Sequence, residues 1–127
     1  MGKFGFRKSE RLSREKEIQE LFDKGSSFYL FPFKVMIMRQ PENVPFNQVL
    51  ISVSRRNFKN AVDRNTIKRR IREAYRLNKH LLPPGCVNRL GFIYTHKEIL
   101  PSGEISSKMV HAFRRVSKVS ADTGKSS

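Results

Sequence analysis

Residues 55–79, RRNFKNAVDRNTIKRRIREAYRLNK, place ten Lys or Arg against two acids, Asp63 and Glu73, a local net charge of +8 out of +15 for the whole chain. At about 100° per residue, the part from Ala61 onward brings Ile67, Ile71, Ala74, Leu77 and later Leu81 to one side of a helix. That side predicts a core face. Arg64, Lys68 and Arg72 follow one another at spacings of four, and Asn65, Arg69, Arg76 and Lys79 fill the adjoining sector. A chain with such a segment must bury one stripe of this helix and leave the charged stripe open.

A basic helix face is often only a solvated surface, but acids then usually alternate with the bases at i,i+4. Here they are nearly absent, and the mutual repulsion of the cations is offset when a polyanion binds. Asn65 adds donors and an acceptor that charge alone would not require, able to meet a base edge, a 2'-hydroxyl or a hydrated ion.

The run Ala61-Val62-Asp63-Arg64-Asn65-Thr66-Ile67-Lys68-Arg69-Arg70-Ile71-Arg72-Glu73-Ala74-Tyr75 resembles the signature of the protein subunit of bacterial ribonuclease P. Thr66 stands where that family usually has a base, and Arg70 where an aliphatic residue is common. Val49 to Arg56 resembles the family's strand ending in two basic residues, with Asn57-Phe58-Lys59 in place of a shorter glycine-containing link. Arg11-Leu12, Phe22 and Gly25 resemble its first helix, where Ile18 takes a usually aromatic position. The likeness covers about residues 7–118.

The resemblance implies an α+β fold, a small mixed sheet packed with helices, similar to the second domain of a small-subunit ribosomal protein. It also implies a left-handed β-α-β crossover through the basic helix, where the general expectation is right-handed, and a further short strand. The implied activity is that of a ribonucleoprotein endonuclease removing the 5' leader of precursor tRNA. Its RNA subunit carries the chemistry and mainly binds the magnesium, so no catalytic or metal-ligating residue is expected in the protein. The expected partners are that catalytic RNA and the precursor-tRNA leader, with the protein itself monomeric. Arg55, Arg56, Lys59, Asn60, Arg64, Asn65, Lys68, Arg69, Arg72 and Arg76 are the expected RNA-binding residues. A cleft for the leader would use Ile18, Phe22, Lys34, Met36, Ser52 and Ser54.

Read independently, 127 residues with 38% hydrophobic content, ten Phe among them, allow one modest core. A single domain over 1–119 is expected, with the small polar stretch 120–127 as a disordered tail. No apolar run approaches a membrane span, the N-terminus lacks a signal core, and one cysteine, Cys86, cannot form an internal disulfide. A cytoplasmic protein is expected.

Ser13 is a candidate cap for a helix running to Lys24, with Gly25 as a left-handed terminator and Ile18, Leu21 and Phe22 as its apolar stripe. For Phe22, core packing and a stacking wall are both open. Residues 31–38 alternate Phe33, Val35 and Ile37 with Lys34, Met36 and Met38, and 49–54 alternate Val49, Ile51 and Val53 with Leu50, Ser52 and Ser54. These two strands suit an antiparallel pair, and the serines suit either a solvent-facing side or a nucleic-acid groove. Pro83-Pro84-Gly85 ends the basic helix, 89–97 reads as a strand, and Ser102 or Ser106 begins a helix buried through Ile105, Met109, Ala112, Phe113 and Val116. The predicted order is α-β-β-α-β-α, with helices against one face of the sheet.

A metal-dependent protein nuclease would need converging carboxylates, and the basic half offers only Asp63 and Glu73. His80, His96 and His111 fall in different predicted elements, which does not suit paired-histidine chemistry. The competing class is a noncatalytic basic RNA-binding protein, ribosome-associated or an RNA chaperone.

Overall fold

The computed structural model describes residues 10–41, 44–82 and 87–126, with side chains to Ser117. Cys86 and the turn 83–85 lie outside the described residues. In chain order the elements are α1 (Glu15–Lys24), β1 (Ser26–Leu30), β2 (Phe33–Arg39), β3 (Gln48–Val53), α2 (Ala61–Asn78), a single 3-10 turn (Lys79–Leu81), β4 (Asn88–Tyr94) and α3 (Ser102–Ser126). The helical backbone of α3 includes 120–126, the stretch that composition assigns to a tail. β1 is the further short strand that the resemblance implied.

The sheet order is β1-β2-β4-β3. β2 is antiparallel to both β1 and β4, while β3 and β4 are parallel and joined through α2. The expected direct pairing of the second and third strands is therefore corrected: β4 lies between them. The reason is burial, since six of the seven β4 residues are buried and such a strand belongs in the centre.

Alternation then sorts the two faces. Phe33, Val35, Ile37, Val49, Val53, Leu90, Phe92 and Tyr94 meet Ile67, Ile71, Ala74 and Tyr75 of α2 and Ile105, Met109, Ala112, Phe113 and Val116 of α3. On α2 the buried fourth residue is Tyr75, 1% exposed, and not Leu77, 46% exposed. The wheel alone nearly ties: Leu77 lies roughly 87° from the mean direction of Ile67, Ile71 and Ala74 on one side, and Tyr75 roughly 73° on the other. Packing decides, since the Tyr75 side of the stripe faces α3, where its ring meets Phe113 at 6.0 Å between centroids. Burial pushes the Tyr75 phenol above its ordinary range, so it stays neutral.

The opposite face is not bare. Leu12 and Leu21 pack with Met36 there, bordered by Ile18, Met38, Leu50 and Ile93, so α1 covers the second side of the sheet. Met36, expected on a groove floor, is 4% exposed beneath this helix. The α1 N-cap is Arg14, with no side-chain cap bond, in place of Ser13. Gly25 has extended backbone (φ −72°), so left-handed geometry is not what requires glycine. Close approach does: a Cβ there would lie 2.4 Å from the Leu21 carbonyl oxygen. Gly91 serves the same packing from the sheet side, where a Cβ would stand 3.3 Å from Leu21 Cδ2.

Candidate nucleic-acid interface

The basic helix begins where Asn60 Oδ1 accepts a hydrogen bond from the Val62 N–H at 3.0 Å, so this predicted RNA-binding residue is a helix cap. The preceding link is fixed from within. Phe58 is buried with its ring 6.0 Å from that of Tyr94, and Arg64 Nη1 donates to the carbonyls of Phe58 (2.7 Å) and Lys59 (3.0 Å). Arg55, Arg56 and Lys59 are held exposed on this braced turn. Ser54, expected on the cleft floor, lies just past β3 and uses its Oγ to accept from Arg56 N–H at 3.1 Å, so it shapes the turn.

Along α2, the cations differ in what they already touch. Arg76 makes a two-pronged pair with Glu73 (2.8 and 3.1 Å), which holds the Glu73 carboxyl below its ordinary range and offsets part of the Arg76 charge. Arg70 lies on the other flank, donating to the Leu100 carbonyl at 2.8 Å. Thr66 turns its hydroxyl onto its own helix, donating to Val62 O at 2.9 Å. The two departures from the family pattern thus serve the fold rather than the charged face. Asn65 and Arg69 are exposed, Lys68 and Arg72 half-buried, and Lys68, Arg69 and Arg72 make no salt bridge among the described residues.

Arg72 marks where this face meets the sheet. It lines a cavity of about 160 Å³ with Arg11, Leu12, Ser13, Val49, Leu50 and Ile51, and its Nε is buried with no hydrogen-bond partner. Arg11 reaches this place because its segment runs beside the free edge of β3, where Leu12 N–H donates to Val49 O at 2.9 Å. A buried guanidinium N–H without an acceptor is costly, and a phosphate oxygen would satisfy it. Arg11 was not among the residues predicted to bind RNA, since one arginine before a helix carries no periodic signal.

The sheet register defines a groove beside α1. Ser27, Met36, Gly91 and Leu50 form one cross-strand row, and Tyr29, Lys34, Ile93 and Ser52 the next on the same face. Leu21 sits over Gly91 of the first row. On one flank of α1, Glu20 and Glu17 reach Arg89 of β4 at 2.6 and 4.0 Å. On the helical wheel Ile18 and Phe22 occupy the other flank, above the Tyr29–Lys34–Ile93–Ser52 row. Ile18 is half-buried and Phe22 is 45% exposed, Lys34 is exposed, and Ser52 is half-buried. Of the six predicted cleft residues, Ile18, Phe22, Lys34 and Ser52 thus share this side of the sheet, Ser54 stands at its edge, and Met36 is covered.

Arg89 holds this arrangement. It is 4% exposed, donates from Nε to Gln40 Oε1 at 3.0 Å, and keeps the Glu20 carboxyl below its ordinary range through their hydrogen bond. With α1 clamped on that flank, the opposite flank is left as a wall. The row Ser52–Ile93–Lys34 begins on β3, the strand whose edge Arg72 and Arg11 flank at Val49 to Ile51.

The sequence pattern of the family described as Ribonuclease P matches residues 6–117. The chain belongs to that family. A ribonuclease P protein component from Porphyromonas gingivalis is 46% identical over 80 residues, covering 62% of this chain and 58% of the relative. The match therefore spans less than two thirds of that relative's length. One from Pediococcus pentosaceus is 37% identical over 108 residues, covering 85% of this chain and 88% of that one. The structure of the Staphylococcus aureus RNase P protein superposes with a TM-score of 0.73 at 25% identity, over 88% of this chain and 98% of that one. The Thermotoga maritima RNase P protein, at 24% identity and a TM-score of 0.71, shares the fold. Among ribonuclease P proteins, then, this chain has its charge on α2 and an open groove beside α1.

Proposed function

We propose that this chain is the RNA-binding protein subunit of ribonuclease P, a single domain over 1–119 that works in the cytoplasm as a monomer. It assists a catalytic RNA in removing the 5' leader of precursor tRNA. The observation that carries this reading is that the unpaired cations of α2 reach the β3 edge, where Arg72 lines a cavity with Leu50 and Ile51, while Phe22 is exposed on the α1 side of the same sheet. A cationic face adjoining a partly apolar trough suits a single strand leaving a structured RNA, because phosphates and unstacked bases are met together.

Magnesium belongs to the RNA in this reading. Among the described residues no group of three or more His, Cys, Asp or Glu could hold a metal ion, and on α2 Glu73 is engaged by Arg76. The described residues offer no donor set that fits a protein-held ion. The protein's part is to lower phosphate repulsion and to keep the leader extended.

The test compares the affinity of the assembled RNA–protein complex for leader-bearing and mature tRNA with that of the RNA alone. Adding the protein should strengthen leader-bearing tRNA binding by roughly tenfold or more, about one stacked base plus one neutralised phosphate, and leave mature tRNA nearly unchanged. An equal gain for both ligands would favour the general RNA-binding alternative.

A further inference from the structure

Tyr29 is the most exposed aromatic among the described residues, 58% open, and no pattern in its own strand explains it. Its neighbours Phe28 and Leu30 pack against the main core, so alternation turns Tyr29 to the α1 face. There it stands directly opposite Lys34, which is paired in turn with Ile93 and, through it, with Ser52. Four adjacent strands at about 4.8 Å apart make this row about 14 Å long. Tyr29 is its outer end, on the edge strand farthest from β3. Apart from Phe22, the other exposed apolar side chains are Val62, Leu77, Leu81 and Ile99, on α2, the 3-10 turn or the loop before α3, and Phe31 in the β1–β2 turn, whose ring packs against His96 and Lys108.

From these positions we propose that Tyr29 is a second stacking platform, holding one leader base beyond those at Phe22, while Lys34 beside it neutralises an adjacent phosphate. The inference rests on the leader-binding reading above. Aromatic rings together with a cation along one row grip a single strand irrespective of base identity, since every base has a π face and every linkage a charge. Lys34 makes no salt bridge among the described residues, so its charge is available. Entry at the α2 end and exit at β1 give the groove a direction, with Tyr29 meeting the leader nucleotides most distant from the mature tRNA.

The experiment measures the affinity of the assembled RNA–protein complex for precursor tRNAs whose leaders grow one nucleotide at a time. Wild-type protein, Tyr29→Ala and Tyr29→Phe are compared, with thermal melts of each. Wild-type affinity should rise to a plateau, and Tyr29→Ala should reach its plateau at a shorter leader, losing roughly five- to tenfold on the longest leaders only. Tyr29→Phe should retain the wild-type curve, and all three should melt alike. A Tyr29→Ala loss that is the same at every length, or no loss at all, would overturn the proposal while leaving the leader reading intact. Wild-type affinity that ignores the leader would remove both. A self-association lost in Tyr29→Ala, with leader binding unchanged, would assign the ring to a contact between copies instead.

Discussion

Phe22→Ala is expected to change folding stability by no more than about 1 kcal/mol while weakening binding of leader-bearing tRNA by about 1 to 3 kcal/mol, the range for removing one stacked base. The expectation follows from exposure. Leu21, fully buried over Gly91, holds α1 to the sheet, whereas Phe22 is 45% exposed on the flank facing the open row. Truncating Leu21 should instead cost about 2 to 5 kcal/mol of stability and weaken every RNA ligand through loss of fold. Thermal unfolding measured beside affinity for leader-bearing and mature tRNA separates the two neighbours. Equal affinity losses for both ligands in Phe22→Ala would mean that Phe22 supports the domain rather than the leader.

Replacing Lys68, Arg69 and Arg72 together by Ala should lower the log-log salt slope of RNA binding by about 2 to 3, at about 0.7 to 0.9 for each phosphate no longer neutralised. Arg70→Ala supplies the control on the same helix. Its guanidinium donates to the Leu100 carbonyl on the far flank, so its removal should loosen the connection into α3 and leave the slope unchanged. Arg76→Ala should fall between, because Glu73 already offsets part of that charge. Titrations of RNA binding at several salt concentrations read all three directly. An Arg70 slope equal to that of a single charged-face variant would show that position on the helix does not matter and that only net charge does.

Much of this arrangement was legible in the residues because it is periodic. Ile67, Ile71 and Ala74 of the α2 core stripe, the alternation of β2 and β3 and the buried face of α3 follow from spacing, and the basic column follows from the same wheel, whereas Leu77 and Leu81, expected on the stripe, are exposed. What escaped was decided by distant segments meeting one another. Charge alone could not tell that Arg64 braces the Phe58 and Lys59 carbonyls or that Arg70 ties down Leu100, since a guanidinium in sequence looks the same whether it faces solvent or protein. Met36 alternates correctly, yet whether its face is open depends on where α1 lands, and that is set by Gly91 below it and by Arg89 catching Glu20. A crossover through α2 was expected, but local pattern does not reveal that it returns β4 to a place between β3 and β2. Tyr29 was invisible because its strand is short and mostly exposed, so it gave little alternation to read.

The measurement that tests the central claim most directly is cleavage of precursor tRNA by the cognate catalytic RNA at low magnesium, with and without this protein. With the protein, cleavage at the leader junction should persist at magnesium concentrations where the RNA alone fails, since cations on α2 replace part of the screening that the ions otherwise supply. The protein alone should cleave nothing. Cleavage that does not respond to the protein, or that the protein performs without the RNA, would contradict the account.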